Sequence, residues 1–114
     1  MPLFNPPSIQ NFVRQIVGFN RSWHSSQKRY GEQHPLATLA RDKKSALQVE
    51  LLRSYPHDVW LEEHNITGKE PLFTVKLSNP VYLNNNEKKD NADHLPNRIA
   101  RELLTHSELQ RFVR

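Results

Sequence analysis

Eight prolines punctuate the chain, and their positions limit which stretches can form regular elements. Proline fixes φ and lacks a backbone N–H, so it opens helices, ends them or interrupts strands. Pro6 and Pro7 stop a helix from extending upstream of Ser8, and Pro35 suits a first helical turn after His34. The Tyr55-Pro56 step closes the next interval, Asn79-Pro80 breaks a strand, and Pro96 opens a last helical stretch.

Within these intervals the apolar spacing assigns the elements. Ile9, Phe12, Val13, Ile16 and Val17 lie on one helical face that Ser8 caps. From Leu36 to Tyr55, the residues Leu36, Leu39, Ala40, Leu47, Leu51 and Leu52 define the inward face of a second helix, with Arg41, Lys43, Lys44 and Arg53 around it. Residues 57–64 read as a strand with Val59 and Leu61 inward. After a turn at Thr67–Glu70, Phe73, Val75 and Leu77 alternate with Thr74, Lys76 and Ser78, so the two strands pair as an antiparallel hairpin. Val81, Tyr82 and Leu83 resume the second strand at an edge. The polar run 84–94 reads as a solvated, mobile loop. Asp93 or His94 caps a final helix whose inward stripe is Ile99, Leu103, Leu109 and Val113. The expected fold class is α+β: a small two-layer domain, helix–β-hairpin–helix, preceded by an amphipathic N-terminal segment. The segment covers residues 1–27 and the domain residues 28–114.

Composition narrows the chemistry. The 114 residues allow one domain, and Leu, Ile, Val and Phe together number 30, enough for a modest core. Cysteine is absent, which excludes disulfides, thiolate metal sites and a cysteine nucleophile. Only 3 glycines are present, so a glycine-rich phosphate loop is excluded too. No apolar run approaches the ~18 residues of a membrane span.

The net charge of +4 is unevenly spread. Residues 1–56 carry 8 basic and 3 acidic side chains, residues 57–94 carry 4 and 7, and residues 95–114 carry 4 and 2. The first acidic residue is Glu32, after Arg14, Arg21, Lys28 and Arg29. An amphipathic, acid-free, Arg- and Ser-bearing N-terminus has the composition of a mitochondrial transit peptide, with Arg14 and Arg21 on the cationic face. Arg21-Ser22-Trp23-His24-Ser25-Ser26 resembles the processing sites of fungal mitochondrial precursors, apart from Trp23 where Phe, Leu or Ile is usual. That resemblance implies import into the mitochondrial matrix and a cut near Ser25–Lys28. The same segment also fits an amphipathic helix packed on the domain, in a cytoplasmic protein.

Residues 15–23 admit a strand reading as well, which turns the order into β-α-β-β-α. That order resembles the thioredoxin-like fold of several small mitochondrial ribosomal proteins and of a respiratory complex I accessory subunit. The matching pieces are the helix ending at Tyr55-Pro56, the Val59–Glu63 and Pro71–Val75 strands and the helix after Pro96.

Six histidines raise the question of a metal or catalytic site. His57 and His64, with Asp58, Glu62 and Glu63 between them, match neither orientation of the zinc-protease helix motif, and on a strand they face opposite ways. No cofactor, metal, small-molecule substrate or catalytic residue is expected. Lys28, Arg29, Arg41, Lys43, Lys44, Arg98 and Arg101 are the candidate RNA-phosphate contacts, with Trp23 and Tyr30 as candidate stacking partners for unpaired bases. The expected function is a noncatalytic structural component of the mitochondrial ribosome that meets rRNA and neighbouring subunits. The alternatives are a respiratory-complex accessory subunit or assembly factor, and a small bacterial or phage nucleic-acid-binding protein or RNase.

Overall fold

The computed structural model describes residues 6–114; residues 1–5 of the expected N-terminal segment lie outside the described residues. Ser8 opens the first helix, α1 (Ile9–Tyr30), its Oγ accepting the Asn11 N–H at 3.1 Å. Gly31 ends it at φ 96°, a conformation that a side chain resists. A short link leads to α2 (Pro35–Ser54), where the His34 ring nitrogen Nδ1 accepts the Leu36 N–H at 3.2 Å. The two helices pack against each other as an antiparallel pair. Tyr55 ties its far end to the start of α1, donating from its hydroxyl to Pro7 O at 2.8 Å and meeting Phe12 edge-on.

The sheet is antiparallel, in the order β1 (Val59–His64), β2 (Leu72–Tyr82), β3 (Lys88–Pro96). Its inner face carries Val59, Leu61, Phe73, Val75, Leu77, Ala92 and Leu95, all buried. Phe12, Val13 and Ile16 of α1 and Val49, Leu51 and Leu52 of α2 pack into that layer. Two short helices close one end: α3 (Asn97–Leu103) supplies Ile99 and Ala100, and α4 (His106–Phe112) supplies Phe112. The chain then lies along the outer edge of β1, Arg114 N–H donating to Leu61 O at 2.8 Å. The α+β, two-layer expectation is met. Among the described residues no helix is long and apolar enough to cross a membrane.

Several details depart from expectation. Residues 15–23 are helical, so the β-α-β-β-α alternative lacks its first strand. α1 continues without a break across residue 27, and its buried face belongs to the same core as residues 28–114. The expected loop 84–94 is mostly strand. Leu83–Glu87 makes the hairpin turn, with Asn86 at φ 62°, and β3 begins at Lys88. β3 is an edge strand that needs only Ala92 and Leu95 inward, so its sequence is polar. A bulge at Asp93 (φ 64°), held by Asn91 Oδ1 accepting the Asp93 N–H at 2.9 Å, hides even that alternation. β2 likewise runs through Asn79-Pro80 with a shift in register rather than a break.

The expected last helix is two helices. Leu104 is extended, and Thr105 restarts the helix with a capping box to Glu108. That break turns Leu104 inward and leaves Leu103 exposed. Pro96, not Asp93 or His94, occupies the cap position of α3. On α2, Leu36 and Leu39 are exposed, and the helix buries Ala37, Ala40, Ser45 and Gln48 instead. Small residues there allow close approach of α1, and Gln48 Nε2 donates to the Ala92 and His94 carbonyls at 2.8 and 3.1 Å, where the bulge frees them from the ladder.

Candidate nucleic-acid interface

Both long helices lie on one side of the sheet, so the other side faces solvent. Strand alternation points Trp60, Glu62 and His64 of β1, Thr74 and Lys76 of β2 and His94 of β3 outward, with Trp60 opposite Lys76 and Thr74 opposite both Glu62 and His94. Flat groups recur across this face. The His64 and His94 rings stack at 4.8 Å between centroids, and the Arg114 guanidinium lies 4.7 Å above the Trp60 ring. His64 lies four positions along the strand from Trp60, about 13 Å. Thr74 Oγ1 and His94 Nδ1 share a hydrogen bond of 3.1 Å that fixes the histidine ring. Partial burial, the neighbouring His64 and the nearby Lys44 and Lys89 push the His94 pKa down, and only Asp93 opposes them. A mostly neutral His94 ring therefore offers a flat face and a hydrogen-bonding nitrogen at neutral pH. Lys76 and Arg114 supply positive charge on this side, against Glu62, while Lys88 and Asp90 alternate together along the exposed start of β3.

The basic residues singled out in the sequence divide into groups. Arg41, Lys44 and Arg98 converge with Trp23 on one small pocket of about 130 Å³, which Ser45, Glu70 and His94 also line. Lys44 is buried; its Nζ donates to Asn20 Oδ1 at 2.9 Å and sits 5.3 Å from the Trp23 ring centroid. Burial lowers its pKa, Asp93 works against that, and Lys89 adds to it. Lys28, Arg29 and Lys43 are exposed on the helices, away from that pocket's lining. Arg29 leans over Tyr30, whose ring stacks on His34 at 4.6 Å. Arg101 borders a wider groove of about 570 Å³ between α3, α4 and the strand ends, with Phe73, Leu104 and His106. Of the two candidate targeting residues, Arg14 Nε donates to Tyr82 O at 3.3 Å, and Arg21 is exposed.

Sequence reasoning therefore found the pocket's cations without seeing that they meet, and it missed the sheet face. The signal was present as Trp60-x-Glu62-x-His64 alternating against Thr74-x-Lys76. His94 was hidden because its strand read as a loop. Among the described residues, no three His, Asp or Glu side chains are placed to hold a metal ion. Compared with protein families, curated proteins and solved structures, the chain finds no match.

Proposed function

We propose that this chain is a noncatalytic, RNA-contacting component of a ribonucleoprotein particle, the mitochondrial ribosome being the particle its sequence points to. The observation that carries the reading is the uncovered sheet face with its two stacks of flat groups, Arg114 on Trp60 and His64 on His94, beside Lys76. Unpaired bases stack on aromatic rings and guanidinium planes, and lysine answers the phosphates between them. The cationic pocket at Trp23 adds a second set of phosphate-seeking groups to the same molecule.

The burial of Phe12, Val13 and Ile16 supports a particular form of this reading. A cut near Ser25–Lys28 takes those three side chains out of the core, so the N-terminal helix acts as an import signal that stays in the working protein. The neighbouring subunits of the particle then meet a surface that includes α1.

Co-sedimentation tests the proposal. The tagged full chain is expected to travel with ribosomal particles from mitochondria, at full length, and to leave them after nuclease treatment. Binding that survives nuclease and high salt supports the respiratory-complex alternative instead. Cleavage of added RNA, abolished in His94→Ala, moves the chain to the RNase alternative.

A further inference from the structure

The pocket at Trp23 is lined by three cations, Arg41, Lys44 and Arg98, and one carboxylate, Glu70, with Asp42 beside Arg41 and Asp93 facing Lys44 from outside the lining. Arg98 Nε is paired with Glu70 Oε1 at 3.2 Å. Arg41 Nε is shielded from solvent and has no hydrogen-bond partner; its nearest carboxylate, Asp42, is 3.6 Å away. Lys44 has no carboxylate within ion-pair distance among the described residues, and a neutral amide oxygen is its only polar partner there. Lys44 is the desolvated cation of the three, and a buried charge with no direct counter-ion is costly unless an anion joins it. The space the three cations line, about 130 Å³, equals the liquid volume of about four waters. That is well below the ~300 Å³ at which pockets begin to hold drug-sized ligands. It suits one tetrahedral oxyanion.

We propose that this pocket binds a single phosphate group, received by Arg41, Lys44 and Arg98 with the Ser45 hydroxyl beside them. Two sources carry that chemistry: a phosphodiester of bound RNA, or a free phosphate. The first source rests on the RNA reading above, and the second does not.

The test uses the full chain and follows the indole N–H signal of Trp23 by NMR, assigned with Trp23→Phe. Inorganic phosphate is expected to move the signal saturably, where chloride at equal ionic strength does not. Arg98→Gln, at an exposed position that leaves the core untouched, weakens that binding about tenfold, as expected for one charge-assisted hydrogen bond. Lys44→Met weakens it at least as much, provided its circular dichroism matches the parent. A short single-stranded oligouridine is then titrated with and without phosphate. Competition between the two identifies the RNA backbone as the source. Saturable phosphate binding without any RNA binding keeps the phosphate site, assigns it to a free phosphate and removes the RNA reading. RNA binding unaffected by Arg98→Gln, together with no phosphate response, overturns the phosphate site and leaves the RNA reading standing.

Discussion

Gln48 shows how one polar residue can hold a core together. It is fully buried, and its amide nitrogen serves two carbonyls, Ala92 and His94, that the bulge in β3 withdraws from the sheet. Replacing it with an apolar side chain of similar size leaves both carbonyls without that donor. Gln48→Met is expected to cost about 2 kcal/mol, read from the urea midpoint at unchanged slope. A loss near zero shows that the carbonyls find other partners. His94 is the second residue on which the account depends. The structure lowers its pKa below the ordinary 6.5 through burial first and the His64 ring next. Histidine titrations by NMR should therefore place His94 below 6.5, and His64→Ala should move it back upward. Because the folded pKa is depressed, this contribution to stability is present above pH 6.5 and is lost as pH falls through the His94 midpoint.

At the scale of elements, α1 and the α3–α4 break are the informative pieces. Phe12→Ala should cost about 3–5 kcal/mol, as for other buried aromatics, and a chain lacking residues 1–27 should lose its cooperative melt. A shortened chain that melts cooperatively shows that α1 is dispensable. The α4 capping box is reinforced by Arg53, whose Nε and Nη2 reach Glu108 at 2.7 and 2.9 Å. Its hydrogen bonds with Arg53 and then with the Thr105 backbone pull the Glu108 pKa from 4.5 to about 2. The stabilisation is therefore complete above pH 4.5 and disappears as pH falls toward 2. Glu108→Gln keeps the cap but loses the charge. It should melt lower than the parent at pH 7, by about 1 kcal/mol for a pair whose arginine is half exposed, and the difference should close as pH falls through about 2.

These elements also show what the sequence could express. Proline placement and apolar spacing marked α1, α2, β1 and β2, because each buries a periodic face. The α2 face was misjudged at Leu36 and Leu39, since helix-to-helix contact there selects small residues over large ones. β3 was illegible because an edge strand with a bulge needs little apolar content. The restart at Thr105 is legible as Thr-x-x-Glu, but the apolar spacing of Ile99, Leu103, Leu109 and Val113 runs straight across it. Of the site, individual charges were visible. Their convergence at Trp23 depends on packing between α1, α2 and the start of α3, which no local pattern reports.

For the whole molecule, the arrangement is a helical layer on one side of a sheet, a cationic pocket at its border and an open face on the other side. If this face takes single-stranded RNA, as proposed, fluorescence anisotropy of a labelled single-stranded oligonucleotide across a salt series will show it. Two phosphate contacts, from Lys76 and Arg114, predict a slope of log affinity against log salt of about −1.4. Lys76→Glu should weaken binding and flatten that slope while leaving the melt unchanged, and Trp60→Ala should weaken binding about tenfold as expected for one lost stacking contact. A same-length duplex should bind more weakly than the single strand. Equal affinity of the parent, Lys76→Glu and Trp60→Ala proteins for the single strand, or no binding at all at low salt, contradicts the account.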